Sequence, residues 1–482
     1  MTPLVLLPAF GEIWLALTAL VLVLVAAFGK ADRRSASVIR QLTIVSLLAG
    51  GWLVYTFGMM PALAFNGLFM TAPYMVLMKL LVIAGAVVVL IMGKTSLRLA
   101  SIDRPEVPIL MLLSVLGMFV MISANDLMVL YMGVELQSLP LYVLAAIHRD
   151  SVRSSEAGLK YFLLGALSSG LMLYGASLIY GFAGGTGYAT IASALGAELA
   201  DGAVVGMVFL IAGIAFKISA APFHMWTPDV YEGSPTAVTA FFAIAPKLAA
   251  MALFLRINFA MLGSVAESWQ QVIIAIAVLS MIVGALGAIM QKDIKRLMAY
   301  SSIAHMGYAL VGMAAATEAG IAAVILYMTI YAVTSAGAFA VILSLQREGK
   351  PVQNITDLAG FSRSHPLPAA ALMIFMFSMA GIPPLGGFFG KWFIFSAAVD
   401  AGLVPLAVIG VVASVIGAFY YIRIVKVMYV DELEETLDQV QPGGQMMVMI
   451  SSAVLVVGFL FIMGLLRDGI AASASYVPFV AG

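Results

Sequence analysis

Lys217-Ile218-Ser219-Ala220-Ala221-Pro222-Phe223-His224 interrupts an apolar run that occupies residues 203–222. A lysine, a proline and a histidine in that place end a helix in mid-run. Proline lacks the backbone donor and clashes with the preceding turn. Inside lipid, the carbonyls it frees must be satisfied by other helices or by water. A second interruption, Gly381-Ile382-Pro383-Pro384-Leu385-Gly386-Gly387, falls inside the run 367–398 and is followed by Lys391. That run is too long for one straight crossing. Broken helices at matching places in two halves are a mark of inverted-repeat transporters.

The rest of the chain fits a membrane setting. Of its 482 residues, 63% are hydrophobic and 10% charged, against about 25% charged in a soluble domain. Fourteen apolar runs can be counted, over 4–28, 42–60, 73–92, 108–123, 127–147, 157–182, 203–222, 235–257, 272–290, 294–315, 319–345, 367–398, 403–428 and 446–466. Their length predicts an all-α, polytopic membrane protein forming a single integral membrane domain. A β-barrel would alternate apolar and polar residues in short segments. The interruptions fall in the seventh and twelfth runs, five apart. That spacing predicts two five-helix repeats, over 108–257 and 272–428, and an odd repeat length inverts the second copy. Lys217 precedes its break whereas Lys391 follows its own, so the two lysines are not expected to superpose.

Basic residues set the orientation. The connections after odd-numbered runs and their flanks hold 18 of the 24 lysines and arginines, from Lys30 to Lys426. By the positive-inside rule those connections face the cytoplasm, and both ends of the chain are expected on the periplasmic side. Lys30, Arg33 and Arg34 follow the first apolar run instead of preceding it. This predicts a retained first helix and not a cleaved signal peptide.

Composition excludes several functions. Net charge is zero, so no basic surface is expected for nucleic acid. There is no cysteine, which removes disulfides, thiolate-held iron–sulfur clusters and cysteine catalysis. Four histidines, His148, His224, His305 and His365, mark no facing pair of haem ligands. No P-loop, dinucleotide fingerprint or zinc motif is present.

Charges inside apolar runs carry the functional signal, since each costs roughly 2.5–3.5 kcal/mol or more at the bilayer centre. They are Lys79, Lys217, Lys247, Lys391 and Glu135. Glu135 stands as the one mid-run acid, about 12 Å deep at about 1.5 Å per residue. It is read as a proton-relay carboxylate, and the bland alternative is an ion pair locking two helices. Lys217 ends the first half of the seventh run, where free carbonyls favour a cation, and its natural partner is Glu135. Lys247 follows Pro246, which can open the helix to water. Lys391 falls in the first turn after the double proline, where a helix N-terminus disfavours a cation. Lys79 is nearer the outer face and reads as a snorkelling lysine. Lys160, His224 and His305 are further relay candidates, with no metal-ligand spacing around the histidines. Arg256 and the acids of 431–438 read as solvated faces.

Five segments resemble one family. KISAAPFHMWTPDVYEGSPT over 217–236 is similar to the broken seventh helix and following loop of the antiporter-like subunits of respiratory complex I. GVELQSLPLY around Glu135, KYFLLGALSSG from Lys160 and KDIKRLMAYSSIAHMGY from Lys292 resemble the same family. SMAGIPPLGGFFGKW over 378–392 looks like its broken twelfth helix. Lysine at 391 differs from the type with glutamate in helix twelve. The chain also lacks the extra length of the type with a lateral helix, and lysine at 247 differs from that type's histidine in helix eight.

The resemblance implies a non-redox subunit of a proton-translocating NADH:quinone oxidoreductase in a bacterial inner membrane. It implies that FMN, iron–sulfur clusters and quinone are held by other subunits and that this chain binds none of them. Expected partners are an antiporter-like neighbour of the M type, small membrane subunits and phospholipids. Protons are expected to enter near the break in run seven, pass from Lys217 to Lys247 and Lys391, and leave past the break in run twelve. The alternatives are a cation/proton antiporter subunit and a non-transporting assembly scaffold. A sodium site would want several oxygen ligands, and a single intramembrane acid favours protons.

Overall fold

The computed structural model describes residues 6–29, 33–197, 199–432, 436–439 and 443–477. Lys30 and two acids of the 431–438 run, Glu434 and Glu435, lie outside the described residues. The chain opens with three long helices, α1 (Phe10–Phe28), α2 (Arg33–Gly58) and α3 (Pro73–Leu99). Next come α4 (Glu106–Ile122), α5 (Leu127–Ala145), α6 (Val152–Ala183), α7 (Tyr188–Ala197), α8 (Asp201–Ile218), α9 (Trp226–Gly233) and α10 (Thr236–Arg256). They are followed by α11 (Ala266–Ile289), α12 (Ile294–Ala314), α13 (Glu318–Ser344), α14 (Phe361–Ser364), α15 (Pro366–Ala380), α16 (Gly386–Asp400) and α17 (Val404–Tyr429). The described chain closes with α18 (Gly444–Val457) and α19 (Phe459–Ala474).

Ten helices among the described residues are long and apolar enough to cross a membrane, so the chain is a multi-pass membrane protein. The last apolar run does not form the single straight helix that its composition suggests. It bends by 80° between α18 and α19. Gly458 stands alone between the two, and glycine is a common site of sharp kinks. Among the described residues, two small antiparallel ladders decorate the connections, β1 (Ala62–Ala64) with β2 (Phe69–Thr71) and β3 (Gln346–Arg347) with β4 (Lys350–Pro351).

The core sits on α10 and α13. Every residue of α10 is buried, because α3, α4, α8 and α13 pack around it. Pro246 does not open it: the helix runs unbroken across that position. The surrounding contacts recur in two sets. In the first, α4 packs on α5, α6 on α8, and α10 on both α8 and α4. In the second, α11 packs on α12, α13 on α15, and α17 on both α15 and α11.

Both predicted breaks are present and share one backbone design. After α8, Ser219 turns left-handed at φ 63°, and Ala220 N–H donates back to Ala215 O at 2.9 Å. After α15, Gly381 turns left-handed at φ 88°, and Ile382 N–H donates to Phe377 O at 3.0 Å. This is the six-to-one closure of a Schellman cap. Each cap is followed by a cis proline bond, Ala221–Pro222 in one case and Pro383–Pro384 in the other.

Candidate functional site

The capped ends leave carbonyls without helical partners, and lysines fill two of these places. Lys247 Nζ, from α10, donates to Ile218 O at 2.8 Å and to Ser219 Oγ at 2.5 Å. Lys391 Nζ, from α16, reaches back to Met379 O at 2.9 Å, Ala380 O at 3.1 Å and Ser414 Oγ on α17 at 2.7 Å. Lys391 therefore does not sit on the helix N-terminus that its sequence position suggested. It is the sixth residue of α16, and its ammonium rests on the carbonyl end of α15, where the helix dipole favours a cation.

Lys217 turns the other way. Its ammonium donates to Ser138 Oγ at 2.8 Å and to the Tyr142 hydroxyl at 3.5 Å, both on α5. The carbonyl end of α8 that was expected to hold Lys217 is taken by Lys247 instead. Glu135 precedes Ser138 by three residues on the same helix face. Its carboxylate accepts from Ser169 Oγ on α6, and it makes no ion pair with Lys217 among the described residues. In place of direct pairing, each group is met by its own hydroxyls, Glu135 by Ser169 and Lys217 by Ser138 and Tyr142. Lys217, Lys247 and Lys391 are all buried.

Of the further candidates, His305 lies deepest. It is buried on α12 between the hydroxyls of Tyr327, at 2.5 Å, and Tyr421, at 3.1 Å. Tyr421 in turn meets Ser301 Oγ at 2.5 Å. The same cluster borders Lys391, whose Nζ lies 4.8 Å from the Tyr308 ring centre. His224 lies in the linker between α8 and α9, half-buried, with Nδ1 unpartnered among the described residues. Lys160 stays partly exposed and pairs with Glu156 and with Asp229, each at 2.7 Å. Asp229 also holds Arg296 at 2.7 Å, and Arg296 reaches Glu232 at 2.8 Å. This network ties α6, α9 and α12 together. No group of three or more His, Cys, Asp or Glu side chains suited to a metal is found among the described residues.

Four sequence readings are corrected. Lys79 does not snorkel: it is 1% exposed and paired with Glu12 of α1. Glu12 is a second mid-run acid, so Glu135 is not the sole one. Folding α1 onto the α3–α4 region buries Glu12, which linear depth along the run does not reveal. Arg256 is not a solvated residue. It is fully buried, and its guanidinium donates to Val477 O at 2.9 Å and Asn125 Oδ1 at 3.1 Å. Within 431–438, Asp438 is not simply solvated either. Its carboxylate accepts from the backbone of Glu348 and Gly349 in the β3–β4 turn.

The sequence reading missed the hydroxyl partners Ser138, Tyr142, Ser169, Ser219, Ser414, Tyr327 and Tyr421. One signal was available: Glu135, Ser138 and Tyr142 follow at three- and four-residue steps, which places them on one helix face.

A multi-pass helical bundle with two capped helix breaks and buried lysines at both defines an antiporter-like membrane protein. Residues 124–417 match the model of the transmembrane family "NADH:quinone oxidoreductase/Mrp antiporter", and the chain belongs to that family. It is 50% identical to NADH-quinone oxidoreductase subunit N of Rhodospirillum rubrum, over 99% of each chain. It is 54% identical to the subunit N of Parvibaculum lavamentivorans, over 91% of this chain and 90% of that one. Among solved structures, a chain of respiratory complex I from Thermus thermophilus matches with a TM-score of 0.81 and 31% identity, covering 96% of this chain and 100% of that one. A chain of the Mrp complex from Dietzia sp. DQ12-45-1b shares the fold, with a TM-score of 0.84 at 22% identity over 99% of this chain and 98% of that one.

Proposed function

We infer that the chain is the proton-translocating membrane subunit of an NADH:quinone oxidoreductase, of the subunit N type. The observation that carries the mechanism is the state of its buried lysines. Lys217, Lys247 and Lys391 are held by hydroxyls and carbonyls, with no carboxylate partner among the described residues. An amine held by neutral oxygens, and not locked to a carboxylate, can exchange one partner for another, which a relay requires.

The roles follow from placement. Glu135 biases the charge on Lys217 through the Ser138 and Tyr142 hydroxyls. Lys217 passes a proton toward Lys247 around the end of α8. His305, bracketed by Tyr327 and Tyr421, carries it toward Lys391, and release is outward past the second break. Lys160 holds Asp229 near the cytoplasmic end, and His224 lines the first break. Moving one charge against 100 mV costs about 2.3 kcal/mol, which quinone reduction elsewhere in the complex supplies.

The paired contact sets and paired caps support two inverted repeats, over 108–257 and 272–428, within fourteen crossings. In this arrangement both ends of the chain face the periplasm of a bacterial inner membrane. FMN, iron–sulfur clusters and quinone reside in other subunits, and an M-type subunit, small membrane subunits and phospholipids surround this one.

Proton uptake per NADH oxidised tests the reading, in proteoliposomes of the assembled complex carrying Lys217→Ala. A collapse of turnover or stoichiometry with assembly intact is expected. Wild-type values in both would assign the transport work to neighbouring subunits.

A further inference from the structure

We propose that the groove between α1, α4, α5 and α6 binds an anionic phospholipid. The groove has a volume of about 920 Å³ and opens on the outer face of the bundle. Its walls are apolar, from Val23 of α1, Leu110 and Leu113 of α4, Val143 of α5 and Phe162 of α6. Its polar groups gather at one end. Arg104 stands just before α4 and Arg149 just after α5, and both line the same opening.

Three features select a lipid with a negative head. First, neither the Arg104 nor the Arg149 guanidinium has a hydrogen-bond or ion-pair partner among the described residues. A guanidinium fork matches phosphate oxygens. Glu106 is the one acid at the rim; it is exposed and pairs with neither arginine. Second, both arginines belong to connections that the positive-inside distribution assigns to the cytoplasmic face, where anionic headgroups lie. Third, the groove is charged at that end and apolar along its length, which is the polarity of a head and its acyl chain. A helix of a neighbouring subunit would not need two unpaired cations confined to the membrane surface.

The groove also reaches the relay. Tyr142 forms part of its lining, and the Tyr142 hydroxyl is the 3.5 Å partner of Lys217. An acyl chain in the groove therefore packs against the ring that positions Lys217. This second step rests on the relay reading above, whereas the binding site itself does not.

The assembled complex, reconstituted with photoactivatable phosphatidylglycerol, tests binding directly. Labelling of peptides from α1, α4, α5 and α6 is expected, competed by unlabelled phosphatidylglycerol and not by phosphatidylcholine. The double variant Arg104→Gln/Arg149→Gln should cut that labelling at least threefold, and Arg104→Lys/Arg149→Lys should keep most of it. Equal competition by both lipids, or unchanged labelling in the glutamine variant, would overturn the site. So would a cross-link from Ile147→Cys, in this otherwise cysteine-free chain, to a neighbouring subunit's helix. Labelling is read without turnover, so failure of the relay would leave this result unaffected. If binding holds, added phosphatidylglycerol should raise coupled turnover in wild type and not in the glutamine variant.

Discussion

Lys247 and Lys391 donate to equivalent carbonyls. Ile218 and Ala380 are each the residue immediately before the left-handed turn that ends a broken helix. A serine hydroxyl completes the site in both cases, Ser219 for one and Ser414 for the other. The lysines arrive from different elements: Lys247 comes from the helix after the broken span, Lys391 from the second half of the broken span itself. Two halves with different sequences thus place a cation at the same point of the same cap.

Ser219 separates backbone comfort from relay chemistry. A non-glycine residue at φ 63° is strained by roughly 1–2 kcal/mol. Ser219→Gly should relieve that strain yet remove the hydroxyl that accepts from Lys247. The expected outcome is a complex of equal or higher melting temperature with lower proton uptake per NADH. Undiminished pumping would show that Lys247 needs only the Ile218 carbonyl.

The Glu12–Lys79 pair predicts a structural defect and not a pumping defect. Removing one partner of a buried ion pair costs about 3–5 kcal/mol, whereas replacing both with apolar residues is often neutral. Glu12→Leu and Lys79→Met should each reduce assembly, and the double variant should restore it. Turnover per assembled complex should stay near wild type in all three. A loss of pumping in the well-assembled double variant would place this pair in the relay.

Glu135 is expected to behave in the opposite way. It is only partly buried, and Ser169 can still donate to a side-chain amide. Glu135→Gln should therefore assemble while coupled turnover falls about tenfold, the equivalent of about 1.4 kcal/mol in a barrier. Glu135→Asp should fall between the two. Proton uptake traces on matched amounts of complex decide the matter.

Gly387 tests the second break. A methyl group there would lie 1.8 Å from the Ser378 carbonyl, a rigid backbone atom at the end of α15. Gly387→Ala should cost about 1–3 kcal/mol or more through overpacking, seen as a lower melting temperature and poor assembly. Gly464→Ala, which meets nothing within 4 Å, serves as the neutral comparison.

The buried lysines were legible because a charge inside an apolar run is expensive wherever it points, and the breaks were legible because proline and glycine act locally. Their partners were not. A serine or tyrosine in a membrane helix is unremarkable until a second helix brings a lysine to it, as α8 brings Lys217 to Ser138. Long-range closure also hid Arg256, which stands at the end of its apolar run but is covered by Val477, 221 residues away. Lys79 was misread for the same reason: its depth was counted along α3, while its counter-ion came from α1. Glu12 was nonetheless visible as an acid within the first run.

The burial of all 21 residues of α10 bears on how such a device can work. A rod gripped around its whole circumference has no free side along which to slide or tilt without dragging its neighbours. Lys247 is therefore anchored on a helix that is packed on every side. A proton path past this helix thus calls for movement of side chains, such as the Lys247 amine and the Ser219 hydroxyl it meets, and not of the helix itself.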